Sequence, residues 1–213
     1  MEIYLQIEKV YFKHHFCIHV MIAFLLCFLS PFVIGVENLD KYQTAKVLEM
    51  FFSLMGIILL IPVFLPDFDL SIRELLESKK VPLWLLRVLR LLQSIFILLI
   101  LLFIYLLFLK QNQCEFPFWS YFLGTIADCF FLGGMGLVIY SITDYVTIAY
   151  LVPFFYFIAN ISGGKYLWKF YLFSMMEGSF EENWYLLTLA GIFFFIAMGY
   201  NVWRKSDIFM QIK

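Results

Sequence analysis

Charged residues are scarce in this sequence. Asp, Glu, Lys and Arg make up only 15% of the 213 residues, whereas 63% are hydrophobic and 21% aromatic. A soluble domain is typically about one quarter charged and about half apolar. At this length, no water-soluble fold would bury so much apolar surface. We therefore predict that lipid surrounds most of the chain. The net charge of −1 is uninformative about nucleic acid, and no basic tract suggests a nucleic-acid partner.

Motifs for nucleotide binding, metal binding and catalysis are also missing. The Gly-Gly-Lys-Tyr sequence at 163–166 lacks the glycine spacing and the following Ser or Thr of a phosphate loop. The four cysteines show no CxxC spacing. The histidines cluster with Cys17 at 14–19, but no nearby carboxylate completes a metal site, so interfacial histidines are the better interpretation. We predict no catalytic residue, metal or cofactor in this chain.

Six apolar stretches predict membrane-spanning helices, each of which needs about 20 residues. They are Phe16–Val36, Met50–Pro66, Leu91–Leu109, Phe116–Thr143, Tyr145–Gly164 and Asn183–Trp203. With the N-terminus inside, the 15 Lys and Arg divide ten to five in favour of the cytoplasm. This bias places both termini in the cytoplasm. We expect one all-α, multi-pass domain over 1–213 in the cell membrane.

Two further segments are predicted to lie against the membrane surface. Residues 1–15 mix apolar and charged side chains, as in an interfacial helix before the first span. Residues 165–183 are rich in aromatics but too short of apolar residues to span. A half-inserted or surface-lying helix before the sixth span, with a turn at Gly178, is the expected solution.

The only sizeable charged segment is Asp67–Leu92, DFDLSIRELLESKKVPLWLLRVLRLL. Ser71 and Glu74 form a capping box, which predicts a helix start. Ile72, Leu75 and Leu76 then share one face, while Arg73, Glu74 and Glu77 point elsewhere. After Pro82 a second helix leads back into the membrane, and the stems of Arg87 and Arg90 can snorkel towards lipid phosphates. The segment is either a docking helix for a soluble partner or an ordinary connector.

Asp128 is the one charge that the sequence places well inside a span. Its burial costs about 2.5–3.5 kcal/mol on insertion scales, so it should face a cavity or a polar partner. Asn160 and Ser162 are the candidate partners. The interpretation stays open between a proton-relay or translocation-path role and a structural Asp between helices. No second carboxylate is expected at this depth, and Gly133, Gly134 and Gly136 predict close helix packing in the same span.

With these features the chain resembles, over its whole length, the permease subunit of type-2 ATP-binding-cassette (ABC) exporters. The local likeness is DLSIRELLESKK followed by a second short helix. The family pattern has an N-terminal interfacial helix, six spans, a cytoplasmic coupling helix between spans two and three, and an outer re-entrant helix before span six. The resemblance implies that the ATPase-docking residues are Ile72, Arg73, Glu74, Leu75, Leu76 and Glu77.

The resemblance also implies partners. Two ABC ATPase subunits would bind ATP and Mg and carry out the hydrolysis, and a second permease, identical or homologous, would complete the transporter. The chain is shorter than polysaccharide exporters and lacks their N-terminal extension, which favours export of a peptide or amphiphile, including antimicrobial-peptide export or immunity. Its composition fits a low-GC bacterium. The alternatives are a stand-alone membrane scaffold or immunity protein, or a membrane-embedded enzyme that uses Asp128.

Overall fold

The structure, a computed structural model, describes residues 9–68, 83–163 and 168–211, and every regular element in these ranges is helical. A π-helical turn at Phe12–Phe16 leads into the first long helix, and a 3-10 stretch at Ile61–Phe68 ends the second. The six long helices are α1 (Cys17–Ile34), α2 (Lys41–Leu65), α3 (Leu83–Gln111), α4 (Phe118–Thr143), α5 (Val146–Gly163) and α6 (Glu181–Gln211).

The predicted all-α class is confirmed. Five of the helices, α1 to α4 and α6, are long and apolar enough to cross a membrane by length and composition. The apolar part of α5, Val146–Ser162, is shorter. The number of spans therefore remains a prediction.

Helices α2 and α3 begin earlier than the apolar runs predicted. Asp40 precedes the first residue of α2, and its backbone N–H donates to Oε1 of Gln43, as in a capping box. The helix therefore starts at Lys41 and not at Met50, and it carries Glu49 into the bundle. Helix α3 likewise starts at Leu83, eight residues before the predicted span.

Helix α4 lies at the centre of the bundle, against α2, α5 and α6. Its closest neighbour is α2, because a Cβ atom at Gly56 would overlap the carbonyl oxygen of Cys129. A Cβ atom at Gly133 would lie 2.7 Å from the carbonyl oxygen of Gly56. The Cys129 thiol also donates to the carbonyl oxygen of Phe52 at 3.0 Å. Small residues thus let two backbones touch, which confirms the packing role predicted for the α4 glycines.

The segment before α6 differs from the predicted half-inserted helix. Its described part, residues 168–180, contains one 3-10 turn at Trp168–Phe170 and then an irregular turn. Gly178 has a φ of +79°, so the predicted turn at this residue is confirmed. At the other end of the chain, residues 9–16 are helical and continue into α1, and Tyr11 and Phe16 are buried against the protein.

The contact between α2 and α4 gives a test of the packing. We expect Gly56→Ala to lower the free energy of unfolding by about 1–3 kcal/mol, because the added methyl group forces the backbones apart. Gly191→Ala in α6 is the matched control, since no atom lies within 4 Å of its added Cβ. The control should be neutral or stabilise by up to about 1 kcal/mol. The measurement is denaturant titration of both variants in micelles. An equal change in the free energy of unfolding in the two variants would contradict the packing.

Candidate functional site

The connection before α6 contains a short irregular segment that is buried against α2, α4, α5 and α6, and we call it the inserted turn (residues 171–178). Leu172, Phe173, Ser174 and Met175 are each at most 3% exposed. Irregular backbone at membrane depth is tolerated only where protein buries it and satisfies its polar groups. The side chains that meet this requirement define the candidate site.

Glu49 on α2 satisfies two of the backbone N–H groups. Its Oε1 atom accepts from the amide of Met175 at 2.7 Å, and its Oε2 atom accepts from the amide of Met176 at 3.2 Å. The Glu49 side chain is fully buried. A carboxylate that accepts one N–H on each oxygen is held in place by strong, charge-assisted bonds. Helix α2 and the inserted turn are therefore fastened together at this residue.

Two asparagines hold the same turn from the other side. The Asn160 side chain on α5 accepts from the amide of Leu172 at 2.9 Å and donates to the carbonyl oxygen of Tyr156 at 2.8 Å. The Asn183 side chain on α6 accepts from the Ser174 hydroxyl at 2.9 Å. Three helices thus each contribute one buried polar side chain to the turn.

Helix α4 contributes space for the turn and a second carboxyl group. Gly124 lacks the Cβ atom that would collide with the sulfur of Met175. One turn further along, Asp128 is fully buried, and neither of its oxygens has a hydrogen-bond partner among the described residues. The charge of Glu49 acts on Asp128. The interior therefore contains two carboxyl groups in electrostatic contact, and one of them lacks hydrogen bonds.

The predicted partners of Asp128 were wrong. The Asn160 side chain forms hydrogen bonds with Tyr156 and Leu172, and Ser162 is exposed. The expectation that no second carboxylate lies at this depth was also wrong, because Glu49 is buried near Asp128. The physical reason is the early start of α2, which places Glu49 eight residues, or about 12 Å, inside the helix. The Asp40 and Gln43 spacing is the signal in the sequence that could have indicated this start.

A second polar cluster lies where α2 and α3 flank the charged segment. The guanidinium of Arg90 lies 4.8 Å from the centre of the Tyr11 ring, and that of Arg87 lies 5.3 Å from the centre of the Phe64 ring. Tyr11 also donates to the carbonyl oxygen of Pro62 at 3.2 Å. Both arginines are more than nine-tenths buried. They pack inside the protein, so the prediction that they snorkel towards lipid phosphates was wrong.

The predicted docking residues lie outside the described residues, which end at 68 and resume at 83. Their assignment therefore remains a prediction. It concerns Ile72, Arg73, Glu74, Leu75, Leu76 and Glu77.

The bonds of Glu49 give a second test. Glu49→Gln replaces one acceptor oxygen by an NH₂ group, which leaves an amide of the inserted turn without its partner. A lost bond to a charged group costs about 1.5–3 kcal/mol. We therefore expect hydrogen exchange at the Met175 and Met176 amides to rise about tenfold or more, since about 1.4 kcal/mol corresponds to a factor of ten.

Glu37→Gln is the matched control, because Glu37 is exposed in the loop between α1 and α2. It should leave exchange at both amides unchanged. Unchanged exchange in Glu49→Gln as well would show that Glu49 does not hold the turn.

Comparisons with known proteins add no family to this description. No protein-family model, curated protein or solved structure matched the chain. Any function proposed for it therefore rests on its own residues and their geometry.

Proposed function

We propose that this chain is the membrane-spanning permease subunit of an ATP-driven ABC transporter. Residues 70–80 serve as the coupling helix, and a separate ATPase chain binds ATP and Mg. The observation that supports the proposal is the set of contacts between the helices that flank these residues in the sequence. Next to that segment, α2 and α3 contact each other, and both contact the helical residues 9–16, which we call the N-terminal helix.

These contacts involve aromatic rings and arginine side chains. Arg87 and Arg90 of α3 lie over Phe64 of α2 and Tyr11 of the N-terminal helix. Phe64 in turn stacks on Tyr140 of α4, with ring centres 4.9 Å apart. A desolvated cation–π contact contributes about 2 kcal/mol. A force applied to residues 70–80 would therefore move several helices together, as a coupling element must.

The outer surface of the bundle is compatible with a second permease. In α1 only Ala23 and Ser30 are buried. Large apolar side chains of this helix, among them Phe24, Phe28 and Phe32, are more than half exposed. Such a surface suits lipid and also suits the same helix face of a second, identical or homologous, subunit. The pairing of two permeases is part of the proposal.

The enzyme alternative gains little from the buried carboxyl groups. Glu49 and Asp128 are both fully buried, so a substrate would have to enter the closed interior to reach them. Glu49 also uses both oxygens to hold the inserted turn. We therefore assign the two carboxyl groups to the transporter interior. Export of a peptide or amphiphile from a bacterial cell is the substrate class that we propose.

Docking is tested by changing the apolar face of the proposed coupling helix. We expect the double variant Leu75→Asp, Leu76→Asp to insert into the membrane normally. It should lose co-purification with the co-expressed ABC ATPase proposed as its partner, because two carboxylates cannot enter an apolar groove. The measurement is the yield of ATPase recovered with the tagged permease.

The matched control adds the same two charges at the opposite end of the bundle, with Asn38→Asp and Gln113→Asp. Both residues are exposed and have a positive φ, which Asp tolerates. This control should retain the ATPase. Full ATPase recovery with the Leu75, Leu76 variant would show that residues 70–80 are not the docking element.

Orientation is tested with thiol labelling. Burial raises the pKa of the Cys114 thiol above its ordinary value, so we expect the native thiol to react slowly, because the thiolate is the reactive form. In a Cys114→Ala background, Glu115→Cys presents an exposed thiol in the loop between α3 and α4. A membrane-impermeant maleimide should label it in intact cells.

Lys79→Cys in the same background is the opposite-side control, and its labelling should require permeabilised cells. The reverse pattern would place the termini and the proposed coupling helix outside the cell.

A further inference from the structure

We propose that Glu49 and Asp128 form a proton-binding site in the interior of the bundle, in which Asp128 carries the proton and Glu49 the negative charge. The site lies between α2, α4 and the inserted turn. This inference does not depend on the transport function proposed above.

The difference in hydrogen bonding between the two carboxyl groups decides which of them carries the charge. Glu49 accepts one backbone N–H on each oxygen, and such bonds favour the ionised form. Asp128 accepts none among the described residues and is fully buried. An ionised carboxylate in that position would lose its hydration without compensation, which is far more costly than burying the neutral acid. The proton therefore belongs on Asp128.

Among the described residues, the surroundings of the pair supply no positive charge that acts on it. Helix α6 contributes the neutral amide of Asn183, which bonds Ser174 beside the pair, and α3 contributes the Tyr105 ring, which packs on Phe52 of α2. Within the described ranges, no three His, Cys, Asp or Glu residues come together to hold a metal ion. The titratable groups that interact with Glu49 or Asp128 are acidic or neutral: Tyr121, Cys129, Tyr156, Tyr171 and Glu177.

Like charges also oppose double ionisation. Two carboxylates that interact in a medium of low dielectric cannot both ionise without a large electrostatic cost. The exposed carboxylate of Glu177 on the inserted turn adds a further negative charge that acts on Glu49. One proton shared by the pair leaves a net charge of −1, and the two N–H groups of the turn compensate that charge.

The proton is coupled to the position of the inserted turn. Loss of the proton from Asp128 would leave two negative charges that repel each other in the buried interior, and this repulsion would push the pair apart. Glu49 would then draw away from the Met175 and Met176 amides, and the turn would lose its attachment to α2. Conversely, movement of the turn out of the bundle would remove the two N–H donors and change the proton affinity of the pair.

Infrared spectroscopy of the purified protein in lipid tests the assignment. At neutral pH the wild type should show the carbonyl band of a protonated carboxyl group, which is distinct from carboxylate bands and shifts in deuterium oxide. Asp128→Asn should fold, because an amide replaces a neutral acid of the same shape, and should lose this band. Glu49→Gln should retain the band, since its proton is on Asp128. Asp40→Asn, an exposed carboxyl control, should also retain it.

Three results would overturn the proposal. The first is the absence of the band in the wild type at neutral pH, which needs no variant. The second is a band that persists in Asp128→Asn, and the third is a band that disappears in Glu49→Gln.

Hydrogen exchange adds a measurement of the coupling between the proton and the inserted turn. Met175 and Met176 should exchange faster in the wild type than in Asp128→Asn once alkaline pH removes the band, and equal exchange at that pH would refute the link to the turn.

Discussion

The hydrogen bonds between Glu49 and the amides of Met175 and Met176 are the constraint around which the interior is organised. An irregular segment buried in a lipid-embedded bundle has backbone groups that water cannot reach, so protein side chains must satisfy them. Glu49 satisfies two of them and Asn160 a third. A charged residue on α2 is therefore required inside the bundle, and it is compatible with that position only because the turn is there.

This arrangement is electrostatically unfavourable for the buried carboxyl group on the neighbouring helix, α4. Glu49 brings a negative charge close enough to interact with Asp128, which has no hydrogen-bond partner among the described residues. Gly124 and Gly56 meanwhile bring α4 close to the turn and to α2. Close packing and buried charge thus occur together, and a proton is the smallest species that removes one of the two negative charges without requiring space. The same pair links the charge of the interior to the position of the turn.

The opposite half of α2 contacts α3 and the N-terminal helix. Phe64, Arg87, Arg90 and Tyr11 join α2, α3 and the N-terminal helix by contacts between guanidinium groups and aromatic rings. The proposed coupling helix follows this half of α2 in the sequence. One helix therefore connects these contacts beside the charged segment with a polar interior that holds the inserted turn. In the proposed transporter, ATPase movements at one end would reach the turn through α2.

The sequence by itself determined the all-helical class, the presence of the long apolar helices and the close packing at the α4 glycines, because long apolar runs and small residues are local signals. It also identified Asp128 as buried. Tertiary structure decided the rest. Glu49 and Arg90 stand beside apolar runs, and only the contacts of their helices show that they are interior residues. Glu49 meets residues 126 and 127 positions away, and a pairing between such distant residues leaves no periodic pattern in the sequence.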